Sequence, residues 1–314
     1  MSLSDVIGQD KAVLILSSMI KRDKIATSFL FSGISGIGKK FTAMQFAKSL
    51  NCKTDASVKM GISCDICSSC RKITSLSHPD IQIVTPDEGI IRIEQIRPII
   101  EFLSFTPSEG KKKVVIIDDA DKMNPAASNA ALKTLEEPPS NSIIILITSR
   151  QSNLLDTIIS RCIKLTFVPL TNKAVKTILN INGQALNSAQ ISLCRGSVEG
   201  GDRESKRDKA ITSLQDIIKG GGIEKWKERE DMEEWFLSII PILRDMVISK
   251  VTDGYLINSD IKDEIKSLTQ KTDIENMVKC FDIVYGIYKM LHLYPNRLVV
   301  QNYMNNVIRN MLKD

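Results

Sequence analysis

The sequence predicts a parallel α/β domain of the phosphate-loop type, followed by an all-helical remainder. Three observations predict it. A glycine loop, Gly33-Ile34-Ser35-Gly36-Ile37-Gly38-Lys39-Lys40, stands between an apolar strand, Ser28 to Phe31, and a helical stretch, Phe41 to Leu50. Strand and helix patterns then alternate as far as Phe167. After Pro169 the strand patterns stop and only helical periodicity continues.

At 314 residues the chain is long enough for two or three domains with ample core. Asp5, Gln9 and Asp10 interrupt any apolar leader, and no apolar run approaches the roughly 18 residues a membrane helix needs. The expectation is a soluble, cytoplasmic protein with no membrane partner. The formal charge is +5, and residues 1–166 carry 21 basic against 17 acidic side chains. So small an excess describes a mixed solvated surface with a weak lean toward a polyanion. Seven cysteines is an odd number, which argues against a disulfide scaffold in a chain without secretory context.

Taken in order, Val13, Leu14, Leu16, Met19 and Ile20 have helical spacing, and Val6-Ile7-Gly8-Gln9 precedes them. Ile81 to Val84 reads as a second strand, bounded by Pro79 and Pro86. Ile96, Ile99, Ile100 and Leu103 mark one face of a helix that Pro98 should delay or kink. Val114 to Ile117 are continuous β-branched residues, the mark of a buried central strand, and Asp118-Asp119 fall at its end. Asn124 as cap and Pro125 in the first turn start a helix that Pro138-Pro139 stop. Ile143 to Ile147 is another buried strand, Asp156 to Arg161 a short helix, and Cys162 to Phe167 the last strand. In such a sheet, sites collect at the carboxyl ends of the strands. The glycine loop, the Asp pair and Thr148 should therefore share one edge. Beyond Pro169, helices are expected over 171–180, 188–194, 205–219, 235–251 with a kink at Pro241, 274–293 and 298–312.

The glycine loop is a phosphate cradle with one residue changed. Gly33, Gly36 and Gly38 let backbone N–H groups turn toward a phosphate, and Lys39 stands where a lysine reaches the outer phosphates. The next position calls for a Ser or Thr hydroxyl on Mg²⁺, and it is Lys40, a cation with no lone pair. Binding of ATP or ADP stays open, while hydrolysis is disfavoured. Asp118 is placed for a metal–nucleotide site, with Asp119 where a longer acid would orient attacking water. The plainer alternative is that Asp119 and Asp121 simply solvate a strand end. Arg161, closing a short helix, reads locally as a surface salt bridge or as an arginine reaching a neighbour's phosphate.

Cys52, Cys64, Cys67 and Cys70 lie in a polar interruption at about 51–72. Thiolates at such spacing turn around one ion, and four of them close a tetrahedral shell with no open position, so a structural zinc is expected. An iron–sulfur cluster shares the pattern of two-residue gaps and is the lesser alternative. Four free thiols is the plain one. His78 reads as a turn residue before Pro79, and Cys162, Cys194 and Cys280 read as core.

Val6-Ile7-Gly8-Gln9, the cradle, the Cys₄ insertion, Lys111-Lys112-Lys113-Val-Val-Ile-Ile-Asp-Asp-Ala-Asp, Leu135-Glu136-Glu137-Pro138-Pro139 and Ser160-Arg161-Cys162 occur in that order. In this combination the chain resembles the AAA+ subunits of the bacterial DNA polymerase III clamp loader, strongly over residues 1–167. Lys40, Asp119 and the stop at residue 314 without a long tail favour the delta-prime branch over the gamma/tau branch. The resemblance implies an AAA+ core over 1–167 with a zinc insertion, a helical lid over 168–207 and a helical collar for oligomerisation over 208–314. It implies that Arg161 acts in trans on the ATP site of a gamma/tau neighbour and that Thr148 holds a sensor position. Arg195 or Arg203 would be the lid's sensing arginine. The implied partners are gamma/tau, delta, a sliding clamp and primed DNA.

Three functions are compatible with these residues. The chain is a non-hydrolysing clamp-loader stator, an active ATPase of the gamma/tau kind, or a zinc-bearing DNA-binding protein with a vestigial core. The last is motivated by Lys111–Lys113 and by Lys53, Lys59, Arg71 and Lys72.

Overall fold

The computed structural model of the chain describes residues 2–54, 60–183, 191, 194, 196–198, 203–252, 254–269, 272–291 and 295–312. They form two compact units, one of Met1–Asn182 with Gly196–Val198 and one of Gly183–Arg195 with Glu199–Asp314.

The first unit is built on five parallel strands: β1 (Ser28–Ser32), β2 (Ile81–Val84), β3 (Lys113–Ile117), β4 (Ser142–Thr148) and β5 (Ile163–Thr166). They lie in the order β2-β3-β4-β1-β5. Every residue of β1, β3 and β4 is buried, which explains why these strands read as unbroken apolar runs. The helices are α1 (Asp10–Lys21), α2 (Lys39–Asn51), α3 (Ser68–Thr74), α4 (Ile93–Ser104), α5 (Pro125–Glu136), α6 (Asp156–Ser160) and α7 (Asn172–Ile181). On one face of the sheet, Leu30, Val115, Ile117, Ile144 and Leu146 pack with Ile96, Ile99 and Leu103 of α4 and Ala127, Ala131 and Leu135 of α5. Phe29 meets Phe46 of α2 edge to face at 5.4 Å.

The register decides where chemistry can collect. Ser32 pairs with Thr148 and with Thr166, Ile117 pairs with Leu146, and Val84 pairs with Ile117. Gly33, Asp118 and Thr148 therefore stand along one edge, as the sequence predicted.

Two local expectations change. Helix α4 does not start late: it begins at Ile93 and runs through Pro98, which lies inside it and is exposed. The carbonyl that Pro98 leaves without a helical donor belongs to Glu94, an exposed residue, where the loss of one helical bond costs least. The polar insertion also contains α3, a short helix whose N-cap is the Cys67 sulfur.

In the second unit the described helices are α8 (Arg203–Ile218), α9 (Arg229–Ser249), α10 (Lys262–Thr269), α11 (Ile274–Met290) and α12 (Arg297–Leu312). Helix α9 begins before Trp235 and passes through buried Pro241. The core gathers Leu214, Trp226, Trp235, Phe236, Ile239, Met246, Cys280 and Met304. Trp226, Trp235 and Phe236 pack ring on ring, at 5.1–6.2 Å between centroids. The helix expected over 188–194 falls mostly outside the described residues, as do Arg195 and Lys59.

Candidate functional site: a phosphate loop filled by lysines

The loop after β1 is shaped by its glycines. Gly33 has φ +151°, and a Cβ there would stand 2.7 Å from the Phe167 carbonyl oxygen. Gly38, at φ +92°, is the N-cap of α2. The loop's carbonyls are taken by protein donors. Gly33 O accepts from Lys39 Nζ at 2.7 Å and Ile34 O from the same ammonium at 2.6 Å. Gly36 O accepts from the Val198 N–H at 2.8 Å. Ile37 O accepts from Gln9 Nε2 at 3.2 Å, and Gly38 O from Thr42 Oγ1 at 2.8 Å. Lys39, only 7% exposed, thus folds back onto the loop it was expected to extend from.

Lys40 does more than omit a metal ligand. Its ammonium stands 3.1 Å from Asp118 Oδ2, where a metal ion would need that carboxylate. Asp119, with φ +50°, pairs at 3.4 Å with Lys122. Both carboxylates at the end of β3 are thus matched by side-chain ammoniums, and the donor set does not fit a magnesium ion. Thr148 is fully buried and donates from Oγ1 to Asp121 Oδ1 at 2.6 Å, while accepting from the Arg150 N–H at 3.0 Å. Asp121 also accepts from the Ser149 N–H at 3.3 Å. The sequence offered Asp121 only as a solvating charge. Its role as the partner of Thr148 depends on the β3–β4 register.

Gln9 is a second residue whose role periodicity does not show. It is 3% exposed, donates to Val168 O at 2.8 Å and accepts from the Val168 N–H at 3.1 Å. It ties the cradle to the segment after β5.

Arg161 is not brought to this edge. It precedes β5, whose first residue pairs with Phe29 near the amino end of β1. Its Nη2 lies 2.7 Å from Glu136 Oε1, and its Nη1 donates to Thr157 O at 2.9 Å.

The four cysteines do come together. The Sγ atoms of Cys52, Cys64, Cys67 and Cys70 all lie within 4.8 Å of one another, so they could hold a metal ion. Cys52 follows α2 directly, and Cys70 sits inside α3. The Cys67 N–H points to Cys64 Sγ at 3.4 Å and the Cys70 N–H to Cys67 Sγ at 3.5 Å, donors that stabilise sulfur as thiolate. A hydrogen bond with the Thr54 side chain brings the Cys64 thiol down to about 6, whereas burial pushes Cys52 up. Lys48 of α2 reaches Asp65 at 2.5 Å and locks the insertion to that helix. His78 is no ligand here. It is buried, its Nε2 meets Ser69 Oγ at 3.0 Å, and its Nδ1 accepts from the Asp80 N–H at 3.1 Å. Cys194 and Cys280 are buried, and Cys162 packs on the edge of the sheet core.

The basic run Lys111–Lys113 does not form a cationic patch. Lys113 is 4% exposed, sits 3.7 Å from Asp80 Oδ1 and lies over the Phe102 ring at 3.9 Å. Lys112 donates to Asn141 Oδ1 at 2.9 Å.

The parallel sheet and the glycine loop after its first strand define an AAA+-type phosphate-loop protein whose metal-ligand position holds a lysine. Residues 8–171 match the family model described as DNA polymerase III, delta subunit. The chain belongs to that family of DNA polymerase III clamp-loader subunits. It is 30% identical to DNA polymerase III subunit delta' of Bacillus subtilis (strain 168), over 96% of this chain and 95% of the relative. It is 34% identical to subunit tau of the same organism, over 68% of this chain but only 38% of tau. Among solved structures, a DNA polymerase III gamma subunit-related protein of Thermotoga maritima aligns with 95% of this chain and 99% of its own, at 15% identity and a TM-score of 0.41. No described helix is long and apolar enough to cross a membrane.

Proposed function

We propose that this chain is a delta-prime-type stator of the clamp loader in DNA replication, one that does not hydrolyse ATP and serves the ATP site of a neighbour. The observation that carries the reading is the 3.1 Å ion pair of Lys40 with Asp118. An ammonium fixed on the strand-end carboxylate replaces both the missing hydroxyl and the metal it would have held. Losing one such contact costs about 10²–10³ in rate, and Asp119 in place of a longer acid removes a second. Arg161 supports the other half of the reading: it stands away from its own loop, where it could serve an adjacent subunit's transferring phosphoryl group.

On this reading the Cys₄ cluster holds a structural zinc, since four thiolates leave no position for a substrate. The lid spans 168–207 and the collar 208–314, Thr148 is a sensor residue that no longer senses, and any ATP or ADP is held without turnover. The partners are gamma/tau and delta subunits, the sliding clamp and primed DNA, in the cytoplasm.

The test is ATP turnover with and without primed DNA. The purified chain is expected to show none. Reconstituted with a gamma/tau subunit, it should raise turnover, and Arg161→Ala should remove that gain without blocking assembly. Robust turnover by the chain alone, abolished by Lys39→Ala, would instead make it an active ATPase. The double change Lys40→Thr with Asp119→Glu separates the two readings further, because it should create magnesium-dependent nucleotide binding where none existed.

A further inference from the structure

We propose that Glu136 is a positioning residue for Arg161, holding its guanidinium ready for the phosphate of the neighbouring subunit. The proposal rests on the reading that Arg161 acts in trans. Both residues come from helix ends. Glu136 is the last residue of α5, and Arg161 is the C-cap of α6. A carboxylate at a helix C-terminus faces the negative end of the helix dipole and is disfavoured there. A local rule broken at one residue, with the opposite charge brought to it from another element, points to a purpose beyond that helix.

The geometry states the purpose. Glu136 Oε1 takes an N–H of Nη2 at 2.7 Å and Thr157 O takes an N–H of Nη1 at 2.9 Å. A guanidinium has five donors in a fixed plane, so three remain for a second anion. The two held donors fix the plane, and the remaining three keep the group competent. Arg161 is 35% exposed and Glu136 49%, so the pair lies at the surface and adds little to folding stability. What it removes is rotamer freedom of a long side chain before the partner arrives. An arginine acting on charge that develops in the transition state should affect turnover rather than nucleotide affinity.

The experiment uses the full chain reconstituted with its ATP-hydrolysing neighbour, and reads kcat and KM for ATP with thermal midpoints as a control on folding. Arg161→Ala should lower kcat by about 10³-fold. Glu136→Ala should lower kcat by roughly three- to tenfold with KM and thermal midpoint unchanged, as expected for lost orientation. Glu136→Gln, which keeps an acceptor for Nη2, should restore most of that loss. In the Arg161→Ala background, Glu136→Ala should add nothing, because there is no guanidinium left to position. If Glu136→Ala turns over as fast as the unaltered complex or faster, while Arg161→Ala is slow, Glu136 is a surface pair or a brake and the proposal fails alone. If Arg161→Ala itself changes nothing, the trans-arginine reading fails and takes this proposal with it.

Discussion

Asp80 shows how much one carboxylate can organise. It is fully buried and accepts from the backbone N–H groups of Ser108, Glu109 and Gly110 at 2.7–2.8 Å, with Lys113 at 3.7 Å. Burial alone would push its carboxyl up, but these donors outweigh burial and hold it below its ordinary value. Asn51 does the same work for the next two residues, its Oδ1 accepting from the N–H groups of Lys111 and Lys112. Asp80→Ala leaves buried Lys113 without its anion and strands three backbone donors, so it should destabilise the sheet unit by about 3–5 kcal/mol. The pH dependence has a definite sign. A carboxyl depressed in the folded state contributes fully above its unfolded value, about pH 4, and the contribution is lost as pH falls through the folded value. Melting curves of the unaltered chain and of Asp80→Asn should therefore be well separated at neutral pH and converge in acid. A constant separation at every pH would mean that packing, not charge, is what the substitution removes.

At the scale of elements, the cysteine cluster and α2 form one piece. Cys52 follows the last residue of that helix, and Lys48 on the same helix pairs with Asp65 between the cysteines. A metal held by the four sulfurs therefore pins the carboxyl end of the helix that begins at the phosphate loop. Chelation should raise amide exchange over 48–52 and 64–74 while β4 stays protected, because metal binding and local folding are one equilibrium here. Unchanged protection after chelation would show that the thiols are held by packing alone. Cys64→Ser should reproduce the chelated pattern. These elements also mark where sequence was legible. β1, β3 and β4 were visible because burial on both faces forces continuous apolar runs, and the α5 start because Asn124 caps it and Pro125 follows. Helix α3 was hidden because its residues are chosen for sulfur and polarity rather than an apolar stripe, and α10 because only Ile265 and Thr269 are buried in its short span. The pairs that give the site its character, Lys40 with Asp118, Thr148 with Asp121 and Arg161 with Glu136, join residues 25 or more apart in sequence. Glycines and lysines announced a cradle, but what fills it is set by strand register, which no periodicity encodes.

For the whole molecule, the two compact units offer separate reporters. The chain has two tryptophans, and Trp226 and Trp235 are both in the core of the helical unit. Trp235 also donates from Nε1 to Ser213 Oγ at 3.1 Å, so its emission depends on α8 and α9 remaining packed. The cysteine cluster and Asp80 belong to the other unit. Tryptophan emission therefore follows one unit, while far-ultraviolet circular dichroism follows both. A chain of separately cored units need not unfold in one step, and different probes then give different midpoints. Chelation or Asp80→Asn should lower the dichroism midpoint and leave the tryptophan midpoint in place. Phe236→Ala, which empties a fully buried site packed against Trp226 and Trp235, should lower the tryptophan midpoint, and the helical unit's share of the dichroism change with it, at a cost of about 3–5 kcal/mol. If chelation moves both midpoints together, the units fold as one cooperative body. A metal lost at the carboxyl end of α2 would then be felt in helices more than 130 residues further along the chain.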